Sequence, residues 1–133
     1  QSNDLASAIE AYNRFISTYG THVSLLGLVY QKLGYAYQLK GDLEQAVKAY
    51  STILEIPGAM NRDHALFEAA RLEENRSKPD EALKHYQELM KTYPNSPLTS
   101  EAAMRVKVME AKKNPEPAPD ASALSAPPKP SKQ

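Results

Sequence analysis

In a chain of 133 residues, 16 lysines and arginines balance 16 aspartates and glutamates. A net charge of zero provides no global field toward nucleic acid, an anionic membrane or an acidic polymer. The absence of cysteine excludes disulfides and thiolate chemistry, and no apolar run is long enough to span a membrane.

In chain order, residues 4–20 read as a helix with Ala8, Tyr12 and Phe15 on one face. It has the form of the second helix of a hairpin whose first helix is missing, so these side chains are expected to lack part of their packing. No stretch reads as a signal peptide. The start Gln1-Ser2-Asn3, without Met, suggests a processed or engineered beginning and the C-terminal piece of a longer protein.

The run from Leu25 to Leu39 is helical in its apolar spacing and holds Gly34 in its middle. Glycine inside a helix costs about 1 kcal/mol relative to alanine. A close approach of the next helix, 42–56 with Ala46, Ala49 and Tyr50, is the expected compensation. Between them, Lys40-Gly41-Asp42 offers a left-handed stop and then an N-cap, with Gln45 placed for a capping-box-like pair.

Residues 63–76 repeat the pattern with Leu66, Ala69, Ala70 and Leu72. Pro79 suits a first helical turn, and Asp80 and Glu81 suit the positive end of the helix dipole. That helix is expected to stop at Pro94. Glu101 to Lys113 reads as one more helix with Ala102, Ala103, Val106 and Met109 facing inward. Lys107 there stands where a further packed helix would need a small residue, as in a solenoid cap.

Six of the ten prolines fall within residues 114–133. That segment is expected to be a disordered Pro/Ala-rich tail; Pro127-Pro128-Lys129-Pro130 leaves a proline-reading partner as the alternative.

The alanines Ala8, Ala46 and Ala82 are each followed four residues later by Tyr12, Tyr50 and Tyr86, and seven later by Phe15, Ile53 and Leu89. Three registers agreeing at three positions favour a helical solenoid over an amphipathic bundle. Tyr30, Leu33, Gly34, Tyr37, Ala46 and Tyr50, then Leu66, Ala69, Ala70, Ala82, Tyr86 and Pro94, resemble the tetratricopeptide repeat. Glu73 departs from its pattern by replacing an aromatic. Intervals longer than that family's repeat place extra residues in 21–28 and 58–62.

The resemblance implies an all-α fold, a right-handed superhelix of antiparallel helix pairs closed by a capping helix. The domain would span 1–113: a half repeat at 4–20, repeats at about 23–57 and 60–94, and a cap at about 98–113. It also implies a concave groove lined by the first helix of each pair, at Leu28, Gln31, Tyr35 and Gln38, then His64, Phe67, Arg71 and Glu74. These lie on one helical stripe per repeat and suit an extended or helical peptide. The alternative is that Tyr35 and Phe67 pack against neighbouring helices.

Catalytic, cofactor and metal sites are not expected. His22, His64 and His85 are scattered, adjacent acidic pairs point different ways around a helix, and no phosphate loop or nucleophile elbow occurs. The expected function is a non-catalytic adaptor for a protein or peptide, with no nucleic acid and no direct membrane insertion. The links between repeats resemble those of bacterial cell-envelope members of the family, which favours the periplasm. Two alternatives stand beside it: self-association through exposed Tyr12, Phe15 and Ile16, and a regulatory domain of a larger protein.

Overall fold

The computed structural model describes residues 2–21 and 23–115. His22 and all but the first two residues of the expected 114–133 tail lie outside them. The described residues form six helices: α1 (Ser2–Tyr19), α2 (Val23–Lys40), α3 (Leu43–Leu54), α4 (Arg62–Asn75), α5 (Pro79–Thr92) and α6 (Thr99–Lys113). Among the described residues there is no strand, and each helix packs on the next in sequence.

The helix ends follow local chemistry. Gly41 closes α2 at φ +87°, its N–H donating to Gln38 O while the Asp42 N–H reaches Tyr37 O. Asp42 then caps α3, accepting from the Gln45 N–H at 3.2 Å. The same two-bond closure ends α4, from Ser77 to Glu74 O and from Lys78 to Glu73 O. Here the left-handed residue is Ser77 at φ 59° rather than glycine. Pro79 opens α5, where its missing N–H leaves no bond unmade.

The two tracts expected to hold extra length differ in kind. Residues 23–28 are helical, so α2 gains a turn over α4 at its start. Residues 58–61 form a loop, with Gly58 at φ +75°.

The core is a row of three clusters, each shared by three consecutive helices. Ile9, Leu33, Ala36 and Ala49 join α1, α2 and α3. Ala46, Tyr50, Ile53, Ala65, Ala69 and Leu72 join α3 to α4, with Tyr30 and Tyr37 of α2 packed against them. Leu66, Ala70, Tyr86, Leu89, Val106 and Met109 join α4, α5 and α6. Tyr50 and Tyr86, four after their alanines, are the largest fully buried side chains. A core extended by one cluster per added pair is the packing of a solenoid. Glu73, in place of an aromatic, is 5% exposed and ion-paired with Arg76 at 3.3 Å.

Candidate functional site

The first helices of successive pairs, α2 and α4, and the closing α6 are joined directly by side chains. At the start of α4, Asn61 donates through Nδ2 to Gly27 O at 3.1 Å and to Gln31 Oε1 at 2.6 Å. A Cβ at Gly27 would sit 2.8 Å from Asn61 Oδ1, so a larger residue there would require the Asn61 side chain to shift. Between α4 and α6, Arg105 holds both carboxylate oxygens of Glu74, with Nε at 3.1 Å from Oε1, and Tyr86 Oη donates to the same carboxylate at 2.7 Å. Burial opposes ionisation of Glu74, but the hydrogen bonds from Arg105 and Tyr86 and the Arg105 charge outweigh it and hold its carboxyl below the ordinary value.

These contacts sort the eight residues proposed from the sequence. Gln31 is engaged with Asn61 and Glu74 with Arg105 and Tyr86, so both serve the seams between helices. Phe67, one of the two expected aromatic anchors, is turned inward: it is 4% exposed and meets the Tyr86 ring edge-on, with centroids 5.7 Å apart. As an exposed anchor it is corrected to a core residue, because α5 and α6 close over that side of α4. His64 is half-buried beside Tyr50, ring centroids 6.2 Å apart. Gln38 is half-buried, while Leu28 and Tyr35 are 50% and 57% exposed. Arg71 is exposed and pairs with Glu68 at 3.3 Å.

The core places α6 in the same frame as α4, with Ala102, Val106 and Met109 taking the roles of Ala65, Ala69 and Leu72. Val108 therefore stands where Arg71 stands in α4 and Tyr35 in α2. All three are exposed, Val108 at 43%. Tyr35, Arg71 and Val108 thus form an exposed series along this layer, with Arg71 paired to Glu68 on its own helix. Beside it lies a shallow cleft of about 230 Å³ between α4 and α6, lined by Arg71, Glu74, Glu101 and Arg105. Val108 escaped the sequence reading because α6 was taken only as a cap; aligning its alanine frame to that of α4 would have found it.

No nucleophile–base pair stands out on this surface, and among the described residues no group of three or more His, Asp or Glu is arranged to hold a metal ion. No described helix is long and apolar enough to cross a membrane.

Comparison with known proteins agrees with the packing. Residues 28–59 and residues 64–96 each match the family pattern described as tetratricopeptide repeat, one match per helical hairpin. No curated protein matches the chain significantly. Such repeats generally mediate protein–protein interaction, and the two matches together with the stacked hairpins show an all-α fold of the tetratricopeptide-repeat kind over residues 28–59 and 64–96.

Proposed function

We propose that the chain is a non-catalytic scaffold that holds a peptide segment of a protein partner across its first-helix layer. The observation that carries this reading is the register of Tyr35, Arg71 and Val108. They recur at equivalent positions of α2, α4 and α6 and are exposed, while Phe67 and Glu74 beside them are committed to the fold. An aromatic ring, a guanidinium and an aliphatic side chain in series suit a segment with two apolar residues flanking an acidic one. The acidic group would compete with Glu68 for Arg71.

The test is a crosslinking capture from the native cell, comparing the protein with a Tyr35→Ala, Arg71→Ala, Val108→Asp variant of equal helicity and melting temperature. Loss of a partner in the variant supports the reading, and equal capture by both overturns it. A cell-envelope location extends the same proposal, and fractionation of the native cell tests it: recovery in the cytosol would exclude it.

A further inference from the structure

The residue after each repeat alanine is apolar: Ile9, Val47 and Leu83. In the first two the side chain is covered, at 8% and 9% exposed. Ile9 shares a cluster with Leu33 and Ala36 of α2 and with Ala49 of α3, the second helix of the following pair. Leu83 is only half-buried. It packs against the last cluster, which α6 joins, but among the described residues no second helix follows α6 to complete the cover. A cleft of about 550 Å³ opens there instead, between the start of α5 and the end of α6. Leu83 and Met109 meet Ser77, Asp80, Lys112 and Lys113 around it.

The chain that follows α6 begins at the rim of this cleft. Lys112 and Lys113 line it, and Asn114 and Pro115 come next. The chemistry of the following segment matches the cleft. Between Glu116 and Pro128 the charged side chains are Glu116 and Asp120, both acidic, facing a rim with two lysines. The same stretch holds one large apolar side chain, Leu124, to set against Leu83 and Met109. Reach is not limiting. From Pro115 to Leu124 an extended proline-type chain covers about 28 Å, whereas Met109 lies about 8 Å of helix back from Asn114. Lys113 pairs with Asp80 at 3.2 Å with both side chains well exposed, a surface pair of little worth that a nearby carboxylate can replace. The tether also keeps the local concentration of the segment high, so weak contacts suffice.

We propose that residues 116–124 fold back across the α5–α6 cleft and cover Leu83, with Leu124 on the Leu83–Met109 floor and Glu116 and Asp120 at Lys112 and Lys113. Tyr35, Arg71 and Val108 do not line this cleft, so the contact stands apart from the peptide site proposed above.

The test uses the full chain, whose lack of cysteine lets Ser122→Cys carry a unique nitroxide. Paramagnetic relaxation is read at the methyl groups of Leu83 and Met109, with exposed Met60 and Met104 as references. A segment held only by its tether also visits α6, so the variants decide. Leu124→Ser, and separately Lys112→Glu with Lys113→Glu, should each lower the rates at Leu83 and Met109 at least threefold. Adding Glu116→Lys and Asp120→Lys to the lysine variant should restore them to within twofold of the parent. Leu124 lies outside the described helices, so its substitution keeps the test independent of folding. The lysine variants are compared at matched circular dichroism and melting temperature. Rates indifferent to Leu124→Ser and to charge reversal would overturn the proposal and leave a merely tethered segment. Relaxation passed from nitroxide-bearing copies to isotope-labelled copies without nitroxide would also overturn it, making the segment of a second copy the occupant.

Discussion

The Cβ that Gly34 lacks would lie 2.8 Å from Cε2 of Tyr50, inside the contact distance of any real side chain. Helix propensity alone makes Gly34→Ala stabilising by about 1 kcal/mol. Tyr50 is 1% exposed and has no room to retreat, so overpacking at about 1–3 kcal/mol wins. We expect Gly34→Ala to lower the urea midpoint in the parent. In a Tyr50→Leu background, where the ring is gone, the same change should raise it. That inversion of sign identifies the close approach as the reason for the glycine.

Ser77 does with a side chain what Gly41 does without one. Both close a first helix through a pair of backbone bonds, and both sit at positive φ. An L-residue in that conformation carries strain of about 1–2 kcal/mol, partly offset by the lower entropy of the unfolded serine chain. Ser77→Gly should therefore stabilise the protein by about 0.5–1 kcal/mol, seen as a higher melting temperature with unchanged helicity.

Phe67 and Tyr35 were placed together by helical spacing and should separate by experiment. Phe67→Ala empties a site closed by Tyr86 and α6 and should cost about 3–5 kcal/mol in denaturant titration. Tyr35→Ala removes a side chain at a position 57% exposed and should stay within about 0.5 kcal/mol. A partner lost on Tyr35→Ala is then lost from binding and not from folding.

Stability should fall in two steps as pH drops. Burial lowers the His85 pKa below its ordinary 6.5, against the raising influence of Glu73 and Glu81. The unfolded chain thus takes up a proton first, and stability declines from pH 6.5 downward until His85 protonates in the fold. Glu74, whose burial is outweighed by Arg105 and Tyr86, is likewise depressed below 4.5, so its contribution is full above that value and lost beneath it. His85→Gln should remove the first step and Glu74→Gln the second in melting temperatures measured from pH 8 to 3.

Much of the fold was legible because its signals are local or strictly periodic. Ala8, Ala46 and Ala82 with their tyrosines four later mark one helical face each. Gly41-Asp42 marks a stop and a start within two residues. The candidate site was less legible. Helical spacing gives Tyr35 and Phe67 comparable places on a stripe, but only α5 and α6 decide that Phe67 is covered. Gln31 found Asn61 thirty residues away, and Glu74 found Arg105 thirty-one away. No pattern along the chain announces either pairing.

Helices, their ends and their tandem stacking follow from residues a few positions apart, since a turn of helix is closed by neighbours and an apolar face repeats every turn. Those relations persist in any arrangement of the chain. Which polar side chains are spent on seams, and which aromatic is core and which is exposed, depend on what lies across a helix. That is decided by helices drawn together from thirty or more residues away, where burial and unmet hydrogen bonds select one packing. Gly27 illustrates the division: it falls seven residues before Gly34, and only the seated Asn61 shows what a side chain there would meet.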